Sequence, residues 1–356
     1  MQAPQLKSDD NDEGAEIVKL SVCPTHADQP GRFRTVHEAQ AALRQDRRRA
    51  AAGADATVRG SDALAVFELC EGRHHLQSAL VFEKVDGAVE LRGIGGLATL
   101  DSGHRITGWT KSSANAAVPG LWQATLPKTA AGSRQLWVKG RRANRAHANP
   151  ANCSGGPAFA NMPVPPFAGA CEGTFRAGVR TAAGYSGVPD HAPRLSVGNA
   201  SMTSWLSPGS ELVFGRGGSG ASWTEPRCSV VNVSKGVTAG TVDIVMAQPC
   251  WARATTKHAP EQDVSFPSDI ENAFDLLDES GEWYADFSDG SVRQPGRIIY
   301  YLPREGERMD SPSTVVVLGG VVSGGGGGAA VVVQPGAAVR RIERLAFQYQ
   351  TWSARP

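Results

Sequence analysis

The amino-acid sequence predicts a mainly β protein that contains the first coils of a β-solenoid. Glycine occurs 41 times and proline 22 times in 356 residues, a composition typical of turn-rich β structure. Short apolar runs at 65–69, 80–82 and 88–91 end at glycine or at a charged residue, as short strands do. Val66 and Val89 stand 23 residues apart in similar settings, and a recurrence of that length is typical of solenoid coils.

The charge balance excludes partners that are recognised through bulk charge. Lysine and arginine number 36, aspartate and glutamate number 35, and the formal net charge is +1. A nucleic-acid or membrane-surface protein would carry a stronger basic field. The sequence also lacks a run of about 20 apolar residues, the length that a transmembrane helix needs. We therefore expect neither nucleic acid nor a membrane as a partner.

Residues 1–16, MQAPQLKSDDNDEGAE, are acidic and polar, and we expect them to form a disordered tail. They lack the basic start and the apolar stretch of a secretory signal. Two interpretations stay open: the protein is not secreted by the usual route, or its true start lies upstream.

The cysteines indicate neither a metal site nor a small disulfide scaffold. Six are too few for such a scaffold at this length, and none belongs to a C-x-x-C motif. Cys228 and Cys250 flank a predicted hairpin almost symmetrically, so they are a candidate disulfide in an oxidising compartment. Glycosylation motifs place candidate sites at Asn152, Asn199 and Asn232.

A helix is predicted over residues 35–52. Thr35 and Glu38 have the spacing of a capping box, and Val36, Ala39 and Leu43 form one apolar stripe. The arginines at 47–49 suit the negative end of the helix dipole, so we interpret them as a solvated helix end rather than a nucleic-acid patch. Because an open solenoid end exposes its core and its sheet edge, we expect this helix to cover it.

From residue 105 the apolar residues alternate as they do in half-buried antiparallel strands. Two hairpins are predicted, one joining 229–233 to 241–246 and one joining 282–287 to 297–302. Between them, 268–279 is predicted to contain a short helix with Ser268 as its N-cap. The poly-glycine tract 324–328 separates two valine-rich strands and is interpreted as a flexible insertion.

Glycine motifs and a histidine pair do not support a cofactor or a metal. Gly215–Gly220 matches G-x-G-x-x-G, but Pro226 argues against the helix that a dinucleotide site needs. The poly-glycine tract lacks the G-K-[ST] of a phosphate-binding loop. His74 and His75 are adjacent on a strand, so they point to opposite faces and cannot easily share one ion.

A cluster of carboxylates is the strongest hint of chemistry. Its members are Asp269, Glu271, Asp275, Asp278, Glu279, Glu282 and Asp286. A glycosidase needs two carboxyl groups about 5–9.5 Å apart whose pKa values differ. A solvated helix face and turn explains the cluster equally simply, and this is the interpretation we favour. Trp205, Trp223 and Trp251 lie in or near this region and either stack on sugar rings or belong to the core.

Eight segments together resemble one family of proteins. They are FRTVHEAQAALR (33–44), VFELCEGRHHL (66–76), DSGHRITGW (101–109), RQLWVKGRRANRA (134–146), SWTEPRCSV (222–230), MAQPCW (246–251), ENAFDLLDESGEWYAD (271–286) and IIYYLPREGERM (298–309). The family is the right-handed parallel β-helix proteins of pectate-lyase-like architecture, related to glycoside hydrolase families such as 141 and 120.

The resemblance implies a β-helix that starts with a capping helix and is interrupted by an inserted domain. Residues 17–104 would hold the helix and the first coils, 105–312 an inserted antiparallel β-sandwich-like domain, and 313–356 the resumed coils. The long turn SDGSVRQPG and the poly-glycine tract depart from the family pattern.

The resemblance also implies the N-terminal part of a carbohydrate-active protein, a glycoside hydrolase acting on plant or algal polysaccharide. Members of the family are mostly secreted. Their catalytic carboxylates lie on later coils, so no catalytic residue is assigned, no cofactor is expected, and we expect the chain alone to be inactive.

Two alternatives remain. In the first, the inserted domain is a non-catalytic carbohydrate-binding module with Trp223, Glu225 and Trp251 as substrate-binding residues, the two indoles serving as stacking platforms. In the second, the chain is a fragment from a truncated gene.

Overall fold

In the computed structural model the chain forms two compact units. The first comprises Met1–Arg105, Ala130–Arg134 and Val317–Ser353, and the second Ile106–Thr129, Gln135–Val316 and Ala354–Pro356. The structure describes residues 7–10, 16–24, 32–53, 63–116, 118–128, 130, 132–148, 175–177, 179–181, 184–186, 194–197, 202–213, 225–236, 239–240, 242–248, 250, 269–288, 296–320 and 329–349. The G-x-G-x-x-G motif at 215–220 and the poly-glycine tract lie outside the described residues.

The chain is mainly β, as the sequence predicts. The two described helices are α1 (Val36–Ala51) and α2 (Met202–Trp205), and neither is long and apolar enough to cross a membrane. The strands are β1 (Lys7–Asp10), β2 (Glu16–Val22), β3 (Arg32–Phe33), β4 (Leu64–His75), β5 (Leu80–Phe82), β6 (Ala88–Asp101), β7 (His104–Arg105), β8 (Thr110–Lys111), β9 (Trp122–Thr125), β10 (Leu136–Val138), β11 (Arg141–Arg145), β12 (His147–Ala148), β13 (Phe175–Ala177), β14 (Val179–Thr181), β15 (Gly184–Ser186), β16 (Arg194–Val197), β17 (Glu211–Val213), β18 (Arg227–Lys235), β19 (Val242–Met246), β20 (Asp269–Glu271), β21 (Glu282–Asp286), β22 (Ile298–Tyr301), β23 (Val316–Leu318), β24 (Val331–Val333), β25 (Ala338–Glu343) and β26 (Leu345–Gln348).

Parallel strand pairing organises the first unit. Strands β2, β4, β6 and β25 follow one another in one sheet, each parallel to the next, and β5 pairs in parallel with β24. The register stacks Leu20 beside Phe67 and Phe67 beside Leu91, and all three side chains are buried. Val89 pairs with Ala65, so the coil repeat is 24 residues here rather than the 23 read from Val66.

Helix α1 packs on this core through the predicted stripe. Val36, Ala39 and Leu43 are buried in the same apolar cluster as the parallel strands. The capping box is present: the Glu38 backbone N–H donates to Thr35 Oγ1 at 3.1 Å, and the Thr35 backbone N–H donates to the Glu38 carboxylate at 3.2 Å. Local sequence therefore determines where the helix begins, and the core determines which face it buries.

The expectation of a disordered tail over residues 1–16 is wrong for residues 7–10. These residues form β1, which pairs antiparallel with β2, so that Lys7 lies opposite Lys19 and Asp10 opposite Glu16. The physical reason is that β2 has a free edge, whose backbone groups gain partners when the preceding segment turns back onto it.

In the second unit nearly all strand pairs are antiparallel. One sheet has the strand order β10-β11-β21-β22-β9-β8 and a second has β12-β20-β17-β18-β19-β16-β13, while β14 and β15 form a separate hairpin. Only the β11–β21 pair is parallel among the described pairs of these sheets. One apolar core contains side chains from both sheets, among them Tyr284 and Tyr300 from the first and Leu212 and Ile244 from the second.

Two hairpins of this unit match the prediction, whereas the predicted helix does not. Strands β18 and β19 and strands β21 and β22 pair antiparallel. The helix expected over 268–279 is wrong: the chain forms strand β20 and then a single 3₁₀ turn, Phe274–Leu276. The reason is tertiary, because β20 lies between β12 and β17 in the sheet, and Asn272, at φ 58°, ends the strand.

Candidate functional site

The residues singled out as sugar-binding are not brought together by the described structure. Trp223 and Trp251 lie outside the described residues. Glu225 is exposed, and its carboxylate lies 3.3 Å from the Arg227 guanidinium. Trp205, in contrast, is buried in the core of the second unit.

The predicted covalent sites fall in different places. Cys228 and Cys250 are joined in a disulfide with a Cα–Cα distance of 5.4 Å. A second disulfide, which the sequence did not single out, joins Cys23 to Cys70 in the first unit. Asn232 is exposed on β18. Asn152 and Asn199 lie outside the described residues.

The carboxylate cluster between 269 and 286 is not a solvated helix face, so the interpretation favoured from sequence is wrong. Its members lie on two strands and on the turns that join them. Glu282, at the start of β21, is only 1% exposed, and Asp269 is also buried. A buried carboxylate requires a charged or hydrogen-bonding partner, which directs attention to what surrounds Glu282.

The partner of Glu282 is His147, which the sequence analysis missed. Parallel pairing of β11 with β21 sets Asn144 beside Glu282, and three residues later His147 Nδ1 lies 2.7 Å from Glu282 Oε1. This hydrogen bond raises the pKa of His147 to about 9; burial opposes the rise, and the charges of Glu282, Asp269 and Glu279 add to it. His147 is therefore a cation at neutral pH.

Asp278 completes the group with a carboxyl that holds its proton unusually well. Its backbone N–H and that of Glu279 each donate to Glu282 Oε2 at 3.2 Å, so the turn before β21 wraps around that carboxylate. Partial burial raises the pKa of Asp278 to about 6, and the negative charges of Glu282 and Glu279 reinforce the rise, while His147 lowers it. We call His147, Asp278 and Glu282 the acid–base group.

A second charged cluster lies on the neighbouring strands. Register places His147 opposite Glu271 and Glu271 opposite Glu211. Arg145 Nη1 donates to Glu211 at 2.6 Å and to Glu271 at 3.2 Å, and Arg227 donates to the other oxygen of Glu271. These guanidinium groups already bind carboxylates on the protein, so the cluster holds strands together rather than offering a free anion site.

The acid–base group offers two carboxyl groups in different protonation states near neutral pH. Glu282 is paired with a histidine cation, whereas Asp278 titrates close to pH 6. One proton donor and one anion close together are the ingredients of general acid and base catalysis. Sequence reasoning could not find the group because 131 residues separate His147 from Asp278.

Metal ligation finds no support in the described part of the chain. No group of three or more histidine, cysteine or acidic side chains there is placed to hold an ion. His74 is buried, with Nε2 2.7 Å from the Cys70 carbonyl oxygen, whereas its neighbour His75 is exposed.

Comparison with known proteins gives one likeness of fold. No protein family profile matches the chain, and no curated protein matches it. A solved structure described as a glycoside hydrolase is similar over 94% of this chain, with a TM-score of 0.58 and 20% sequence identity. The match covers 51% of that protein, so this chain spans about half its length. At this identity the likeness concerns the fold alone.

Proposed function

We propose that this chain is a carbohydrate-active protein of the glycoside hydrolase type, built on a right-handed parallel β-helix. The observation that carries the proposal is the run of parallel strands β2, β4, β6 and β25, whose inward side chains stack coil on coil. The fold likeness to a glycoside hydrolase over 94% of the chain supports it.

The second unit is, in this proposal, a domain inserted into the β-helix. Its continuous stretches lie between residues 106 and 316, and the first unit resumes at Val317. The segments quoted above as resembling β-helix glycosidases favour plant or algal polysaccharide as the ligand. The disulfides Cys23–Cys70 and Cys228–Cys250 favour an oxidising, extracellular compartment.

Within this proposal the acid–base group is the candidate for chemistry. Asp278, which keeps its proton up to about pH 6, would protonate a glycosidic oxygen. Glu282, held by His147 and by two backbone N–H groups, would remain the anion. Retaining and inverting glycosidases both divide their work between two such carboxyl groups.

The test is a panel of plant and algal polysaccharides, offered to the purified chain in binding and reducing-sugar assays. We expect binding to at least one polysaccharide, and loss of any turnover in Asp278→Asn. The matched control is Glu279→Gln, because Glu279 is an exposed carboxylate of the same turn. Failure to bind any polysaccharide contradicts the proposal.

Binding without turnover would favour the non-catalytic alternative. In that case Trp223→Ala and Trp251→Ala should weaken binding, whereas Asp278→Asn should leave it unchanged. This pattern separates a binding module from an enzyme with the same ligand.

A further inference from the structure

The outermost coil of the first unit ends in exposed apolar side chains that continue buried ladders. Val333 lies in register with Phe82, Ile342 with Leu91, and Phe347 with Leu100. The three inner partners are fully buried, whereas Val333, Ile342 and Phe347 are 50%, 42% and 43% exposed. Register neighbours in a parallel sheet point the same way, so these three side chains occupy core positions with nothing described above them. We call them the terminal face.

The backbone beside the terminal face is also a free edge in the described structure. Strand β25 is the last in its sheet, and β6 is its only described partner. An exposed edge strand next to a contiguous apolar patch is a template for pairing with another chain. The remaining question is which chain fits it.

The charges beside Ile342 favour a second copy of this chain. Arg341 and Glu343 flank Ile342 on the opposite side of the strand, and their side chains are exposed enough to meet a partner. When two β25 strands pair antiparallel about Ile342, Arg341 of each copy lies opposite Glu343 of the other. Opposite charges in directly opposed positions stabilise a strand pair, and a parallel in-register pairing would instead oppose like charges.

We propose that the terminal face binds a second copy of the chain around a two-fold axis at Ile342. The two β25 strands pair antiparallel, the apolar side chains of the two terminal faces cover one another, and two Arg341–Glu343 pairs form across the axis. Such an interface is self-complementary and closes, so it gives a dimer rather than a fibre.

The first experiment measures molar mass by sedimentation equilibrium over a range of concentrations of the full chain. We expect the wild type to convert from monomer to dimer as concentration rises, and Ile342→Lys to remain a monomer over the same range. The matched control is Val231→Lys, an exposed valine on β18 of the second unit, which should dimerise like the wild type. A wild type that stays monomeric at every concentration overturns the proposal.

Charge exchange supplies the sharper experiment. Arg341→Glu and Glu343→Arg should each lose the dimer, because each variant opposes like charges across the axis. An equimolar mixture should regain it, because carboxylates at 341 and 343 of one variant then meet guanidinium groups at both positions of the other. Each variant is first checked for the wild-type circular dichroism spectrum, since Glu343 also binds Arg92. Folded variants whose mixture stays monomeric overturn the proposal, whatever polysaccharide the chain binds.

Discussion

Arg44 binds both carboxylate oxygens of Asp86 and thereby ties helix α1 to the strands of the first unit. Nε donates to Oδ1 and Nη2 donates to Oδ2, each at 2.7 Å, and Nη2 also donates to the Val81 carbonyl oxygen. Asp86 is fully buried, and its carboxylate also accepts from the Glu83 backbone N–H at 2.7 Å. A carboxylate so placed depends on the guanidinium for compensation of its charge.

Replacing this arginine should therefore destabilise the first unit. We expect Arg44→Ala to lower the free energy of unfolding by about 3 kcal/mol, since it leaves Asp86 buried without its cation. Urea denaturation measures the change. Arg49→Ala, at an exposed position of the same helix, should cost less than about 0.5 kcal/mol. Equal effects of the two substitutions would contradict the structural role given to the ion pair.

The His147–Glu282 pair predicts a loss of stability at alkaline pH. Because the folded pKa of His147 is raised to about 9 from 6.5, its contribution is complete below pH 6.5 and disappears as pH rises through 9. Melting temperatures measured from pH 6 to 10 should fall more steeply in the wild type than in His147→Gln. His75→Gln, which removes an exposed histidine, should retain the wild-type slope.

Asp278 predicts a pH dependence of the opposite sign, at lower pH. Its folded pKa of about 6 exceeds the ordinary 3.8, so protonation favours the folded state below pH 3.8, and this stabilisation is lost as pH rises through 6. Asp278→Asn should therefore raise the melting temperature at pH 7.5 and have little effect near pH 4. A carbon-detected NMR titration of the Asp278 carboxyl checks the pKa directly; a midpoint near 4 would refute the assignment.

The two described disulfides predict different losses on removal. In the chain-entropy treatment, a link spanning 47 residues, Cys23–Cys70, contributes about 4 kcal/mol, and one spanning 22 residues, Cys228–Cys250, contributes about 3 kcal/mol. Paired Cys→Ala variants in denaturant unfolding measure both values. Peptide mapping under non-reducing conditions should recover both links, and a scrambled pattern would show that the pairing is different.

Sequence reasoning succeeded where the determinants are close together in the chain. The capping box joins Thr35 to Glu38, and the apolar stripe of α1 needs only the helical period, so both could be read directly. The β21–β22 hairpin likewise follows from alternation and a turn. Each of these features lies within about 20 residues of sequence.

The remaining features depend on partners that are distant in sequence. Arg44 and Asp86 are 42 residues apart, and Glu271 and Arg145 are 126 apart. The acidic stretch 269–286 looks helical because its local pattern permits a helix, and only the flanking strands β12 and β17 make it a strand. The acid–base group combines both difficulties, since its histidine comes from another part of the chain and its carboxylates come from a misassigned segment.

The parallel pairing of β24 with β5 and of β25 with β6 has a consequence for biosynthesis. About 230 residues separate the end of β6 from the start of β24. At roughly 5–20 residues per second, a ribosome needs about 10 to 50 seconds to supply the outer strands after the inner ones. During that interval the nascent first unit presents the β5 and β6 edges uncovered, so the order of translation makes this edge a natural point of chaperone contact.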